Sequence, residues 1–87
     1  MAEPLRLDWA DEALADLEEL FAYMPTAAAQ AESDIRRMAR SGFNYGRRMT
    51  TPSLWYWPGD AGVYYETTST TLRVVAMVDA RRLKTLP

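Results

Sequence analysis

Two arginine pairs, Arg47-Arg48 and Arg81-Arg82, and two aromatic runs, Trp55-Tyr56-Trp57 and Tyr64-Tyr65, are the residues of this chain whose types and spacing could do chemistry. A guanidinium stays charged and offers a rigid fork of donors, so it suits anion recognition and the stabilisation of developing negative charge. An exposed aromatic flanked by arginines also has the makeup of an interface anchor. The chain contains no cysteine and no histidine. That removes disulfides, thiol nucleophiles, imidazole bases and most zinc sites, and no metal or cofactor is expected. Catalysis, if there is any, would run on Arg, Lys, Tyr or carboxylates.

The elements that must position these groups are legible in the patterning. Val63 to Thr67 is β-branched and aromatic, and Leu72 to Asp79 is a nearly unbroken apolar run. Both read as strands, the second as a central one, with Leu72, Val74, Ala76 and Val78 on one side and Arg73, Val75, Met77 and Asp79 on the other. Arg81 and Arg82 follow directly. Leu54 to Trp57 is a further strand, the second in chain order, with Trp55 and Trp57 on one face and Tyr56 on the other, and Pro58-Gly59-Asp60 turns it toward Val63. Pro4 to Asp8 alternates as a short first strand.

Between them lie two helices. Asp8 suits an N-cap, and Ala10, Ala13, Leu14, Leu17, Leu20, Phe21 and Met24 recur at helical spacing until Pro25. Thr26 suits the cap of the second, whose stripe is Ala28, Ala31, Ile35 and Met38, and Gly42 ends it. Phe43 to Ser53 has no period and reads as a loop. The expected order is β-α-α-β-β-β, an α+β fold with a helical hairpin packed on a small antiparallel sheet.

At 87 residues and 48% hydrophobic content the chain makes one packed domain, 1–87. Its net charge of −2 hides an asymmetry: nine acids face Arg6 alone up to Asp34 (−8), and nine bases face three acids from Ile35 onward (+6). The basic half could meet nucleic acid or an acidic protein, or the halves attract each other within the fold. No apolar run reaches the roughly 18 residues that span a bilayer, and the N-terminus lacks a signal-peptide core, so a cytoplasmic protein is expected.

Trp9, Ala13, Asp16, Leu17 and Leu20 make the pattern W-x-x-x-A-x-x-D-L-x-x-L behind a short strand. Gly46-Arg47 follows the second helix, Val63-Tyr64-Tyr65 sits in the central hairpin, and Val75 to Arg82 forms a last strand with a basic ending. In joint order and spacing, over nearly the whole chain, this resembles the RelE/ParE toxin superfamily. The resemblance implies the toxin of a bacterial type II toxin–antitoxin system, a factor in plasmid stabilisation. It also implies a cognate antitoxin whose C-terminal segment wraps over the toxin in a hetero-oligomer, and no DNA binding by the toxin alone. RelE-like members cut mRNA in the ribosomal A site; ParE-like members inhibit DNA gyrase.

RelE-like members place lysines on the second strand and an arginine at the start of the third. They place another arginine after the fourth, with a tyrosine in the tail. Here the second strand is Trp55-Tyr56-Trp57, the third-strand arginine position falls at Gly62, and no tyrosine follows Arg82. Arg82, or Arg81 in a register one residue off, is the one match. The acidic balance also argues against docking on rRNA. The resemblance therefore implies the ParE-like branch, with Arg81, Arg82, Arg47, Arg48 and Trp57 on the target-binding surface. The alternatives are a ribonuclease with a degenerate site of Arg47, Tyr65 and Arg82, or an inactive member that only binds its antitoxin.

Overall fold

The computed structural model describes residues 2–51 and 53–84. Its elements are β1 (Arg6–Trp9), α1 (Asp11–Tyr23), α2 (Pro25–Ser41), β2 (Arg47–Arg48), β3 (Trp55–Trp57), β4 (Ala61–Thr67), β5 (Thr71–Asp79) and α3 (Ala80–Lys84). The strands form one sheet in the order β1-β5-β4-β3-β2. β3, β4 and β5 are the antiparallel meander that short turns require, and β1 joins β5 in parallel. The α1–α2 hairpin covers one face, giving the expected two-layer α+β fold. Two elements add to the expected order. A two-residue strand, β2, lies inside the predicted loop and pairs Arg47 with Tyr56 and Arg48 with Trp55. A short helix, α3, begins where β5 ends.

Both expected helix caps are displaced. Asp8 lies in β1, because Leu7 and Trp9 pair with Leu72 and Val74 and pack against the core, keeping the chain extended. The cap of α1 is Ala10, whose N–H donates to the Val74 carbonyl at 2.9 Å. At the elbow, Met24 alone breaks the helical path (φ −141, ψ 63), and Pro25 takes the first position of α2, where its missing N–H costs nothing. Gly42 ends α2 in the left-handed region at φ 76, as a glycine there should.

The core faces of both helices agree with their periodicity in part. Ala28, Ala31, Ile35 and Met38 are all buried, as are Ala13, Leu17, Leu20 and Met24. Leu14 and Phe21, expected in the α1 stripe, stay 48% and 37% exposed, since β5 and α2 between them cover only one row of that helix.

β5 departs from its simple alternation. Tyr64 pairs with Ala76 and Tyr65 with Val74, so Val75 is an extra residue, a β-bulge. One extra residue exchanges the faces beyond it. Leu72, Val74 and Met77 therefore face the helices, and Ala76 and Val78 do not follow Leu72 and Val74 into the core. Past Trp9, among the described residues, no strand lies on the outer edge of β5. Instead the Asp16 carboxylate reaches across from α1 and accepts the Met77 N–H at 3.0 Å. The aspartate of the first-helix pattern thus closes a sheet edge beside the bulge.

The acidic and basic halves of the chain meet within the fold. Among the described residues, ion pairs join the two halves at Asp8–Arg73 (3.9 Å) and, within α2, at Glu32–Arg36 (3.1 Å). Asp11, Glu12, Glu18 and Glu19 are exposed along α1.

Candidate functional site

The face of the sheet away from the helices is aromatic. Arg47, Tyr56, Tyr64 and Ala76 are successive partners across four strands, so they share that face. The Tyr56 and Tyr64 rings lie 4.9 Å apart at 47°. Burial and the neighbouring Tyr64 push the Tyr56 phenol above its ordinary pKa, against a smaller pull from Arg47. Tyr56 also leans over β4, where a Cβ on Gly62 would come within 2.3 Å of its hydroxyl and 2.7 Å of its ring. The Tyr56 ring occupies the space that a side chain on Gly62 would take. No longer side chain, arginine included, fits there while Tyr56 keeps this position.

Tyr65 turns the other way and is fully buried. Its hydroxyl donates to Asn44 Oδ1, which also accepts the Gly46 N–H at 3.0 Å. A Cβ on Gly46 would meet the Tyr65 hydroxyl at 2.0 Å, so glycine is needed for the loop to close over it. Burial drives the Tyr65 phenol up to about 12, despite a hydrogen bond with Gly46 that acts in the opposite sense. Tyr65 is thus a core group that anchors the approach to β2. It drops out of any solvent-facing set with Arg47 and Arg82.

The remaining candidates divide into two places. Arg47 and Arg48 are exposed on the edge strand β2, with Arg48 lying 5.9 Å from the Trp55 ring centre. Arg81 and Arg82 stand on α3, beyond β5, which is three strand spacings away, roughly 14 Å. They reach toward the α1–α2 elbow: Arg81 Nη2 donates to the Met24 sulfur at 3.7 Å, and the Arg82 guanidinium lies 5.7 Å from the Tyr23 ring centre.

Asp79, read from the sequence only as a strand residue, organises this end. Its Oδ1 accepts the Arg81 N–H at 3.1 Å and Arg81 Nε at 3.4 Å, and its Oδ2 lies 3.9 Å from Arg82 Nε. Burial would raise the Asp79 pKa, but the Arg81 amide and the two guanidiniums outweigh it and hold it below the usual carboxylate range. An Asp two residues before an arginine pair is the signal that could have revealed it, since such a side chain readily bonds the backbone two residues on.

Arg81 and Trp57, separated by 24 positions, meet at one groove of about 440 Å³. α2 supplies Ala27, Gln30, Ala31 and Asp34, and the β3–β4 turn supplies Pro58 to Asp60. Trp57 is half-buried, and its Nε1–H donates to Asp34 Oδ2 at 3.2 Å. Gln30 Nε2 donates to the other Asp34 oxygen at 2.9 Å, which locks the carboxylate and through it the indole. Gln30 and Asp34 are four apart on a helix, a spacing that brings side chains together, but nothing local links Asp34 to Trp57. Among the described residues no cluster of three or more carboxylates could hold a metal, and no helix is long and apolar enough to cross a membrane.

This architecture matches solved structures. The YoeB dimer from Staphylococcus aureus superposes with a TM-score of 0.66 at 9% identity, over 83% of this chain and 92% of that one. A chain of the chromosomal ParDE TA system from P. aeruginosa superposes with a TM-score of 0.61 at 16% identity, over 86% of this chain and 95% of that one. The chain has the RelE/ParE fold. Within that fold the two relatives do not choose a branch, since identity favours one and superposition the other. No protein-family model and no curated protein sequence matches the chain. The face of the sheet away from the helices is the one on which Tyr56 overlies Gly62. In this chain that face presents Tyr56, Tyr64 and Arg47.

Proposed function

We propose that the chain is the toxin of a type II toxin–antitoxin system, ParE-like in action, which binds DNA gyrase and is neutralised by a cognate antitoxin in the cytoplasm. The observation that carries this reading is the Tyr56–Gly62 contact. The position where an RNA-cutting relative is expected to hold an arginine is a glycine, overlaid by the Tyr56 ring. A phosphoryl-type transition state needs cations placed where charge develops. Arg47, Tyr65 and Arg82 cannot supply them together: one is on the edge strand, one is in the core, and one lies against Tyr23. Binding needs no such convergence. Arg81 and Trp57 on one groove, with Arg82 beside them, make an arginine–aromatic surface of the kind that dominates protein interfaces. Arg47 and Arg48 form a second contact on the opposite edge.

Controlled expression with supercoiling and translation assayed in parallel tests the proposal. Loss of gyrase supercoiling with translation intact is the expected outcome. Prompt translation arrest with mRNA cut at codons overturns it in favour of a ribonuclease. Harmless expression, unchanged by Arg82→Ala, would leave only antitoxin binding.

A further inference from the structure

The groove at Arg81 and Trp57 is built before any partner arrives. Its two lips are tied together, since the Ala80 N–H donates to the Asp60 carbonyl at 2.8 Å. Its aromatic wall is locked through Trp57, Asp34 and Gln30. Met24, Ala27, Ala31 and Ala61 give it a floor of small or flexible apolar groups, with space for a side chain above them.

The charges lining it are mixed. On the α3 side Arg81 uses Nε on Asp79 and Nη2 on Met24, and its other N–H groups have no acceptor among the described residues. Asp60, whose carbonyl accepts the Ala80 N–H, and the committed carboxylate of Asp34 also line the groove. A nucleic acid strand would meet one cation and two carboxylates here, a poor match for a run of phosphates. An apolar side chain with a carboxylate on one side matches both the floor and Arg81.

We propose that this groove is an anchor pocket for a protein segment that inserts one bulky apolar side chain and sets an adjacent carboxylate on Arg81. The inference rests on the reading of Arg81 and Trp57 as a partner surface, but not on which partner it is. Preorganisation lowers the ordering cost of such a contact, so even a short peptide should register.

The probe is acetyl-Phe-Glu-amide, titrated into the isotope-labelled full chain and followed by NMR, with acetyl-Phe-Lys-amide as the comparison. The Trp57 indole N–H and the Arg81 Nε–H resonances should move together, and the Glu peptide should bind about fivefold tighter. Arg81→Glu, a change at an exposed position, should reverse that preference. Ala27→Leu should weaken both peptides by filling the floor. Equal affinity for the two peptides, a preference untouched by Arg81→Glu, or shifts confined to other surfaces would overturn the pocket. Because no gyrase is present, a failure here is separate from a failure of the supercoiling test.

Discussion

The Tyr56 phenol stands in the space that a side chain on Gly62 would need, with its oxygen 2.3 Å from the ideal Cβ position. Two residues that are six apart in sequence and on neighbouring strands thereby decide what the open face of the sheet can hold. Gly62→Ala must push the ring aside, at a cost of about 1–2 kcal/mol. Placed on a Tyr56→Ala background, the same substitution should cost less, because the obstacle is gone. Denaturant unfolding of the two single variants and the double variant measures that coupling.

A firmer obstacle surrounds Gly46. The atoms a Cβ would meet there are the Tyr65 hydroxyl, held in the core, and the backbone carbonyl of Tyr56 at 3.0 Å. Gly46→Ala should therefore destabilise more than Gly62→Ala, by about 2–3 kcal/mol. The midpoint of chemical denaturation, at unchanged slope, reads the difference directly.

Tyr65 makes stability sensitive to alkali. Its phenol titrates near 10 when unfolded and about 12 in the fold. Between those values the unfolded chain has released a proton that the folded chain keeps, so stability falls as pH rises from 10 toward 12. Below 10 both states are protonated and the contribution is fully present. Thermal melts across that range should show the decline in the native protein and a shallower one in Tyr65→Phe.

Asp16 should matter for the sheet rather than for any reaction. Asp16→Ala leaves the Met77 N–H without its acceptor beside the bulge, which costs about 1–3 kcal/mol. Asp16→Asn keeps a carbonyl oxygen in place and should retain most of the stability. Amide exchange at Met77, accelerated in the alanine variant alone, identifies the broken bond.

Asp79 is predicted to position Arg81 and Arg82. On the proposed gyrase-binding reading, Asp79→Ala should weaken inhibition about tenfold, as Arg81→Ala should, although Asp79 need touch nothing on the target. Asp79→Asn should restore the bond to the Arg81 amide but not the ion pairs, and so give an intermediate value. Since the folded carboxyl titrates below its ordinary value, its contribution is present above the unfolded pKa and is lost as pH falls through the folded one. An inhibition profile in mild acid, flat in the native protein until carboxylates titrate, tests that sign.

What the amino-acid order determined by itself was everything carried by local repetition. The 3.6-residue spacing of Ala28, Ala31, Ile35 and Met38, the break at Pro25, the left-handed stop at Gly42 and the β-branched run of the last hairpin each act within a few neighbours. They suffice for the helical hairpin, the meander and the two layers. The resemblance, rather than any local pattern, made Trp55-Tyr56-Trp57 and Gly62 legible as positions without the cations it leads one to expect of the RNA-cutting branch.

The tertiary structure alone decided where those residues point. A single extra residue at Val75 leaves the composition of β5 unchanged yet exchanges its faces, because a pleated strand has a period of two. The parallel pairing of β1 with β5 drew Asp8 out of a cap and into a strand. Pairing with β3 likewise made a strand of Arg47-Arg48, which has no strand pattern of its own. The groove itself depends on Asp34 meeting Trp57 and Arg81 reaching Met24, contacts between residues 23 and 57 positions apart. No local pattern encodes such pairs. Packing chooses them, and so Arg81, first legible only as half of a basic ending, became one lip of a pocket.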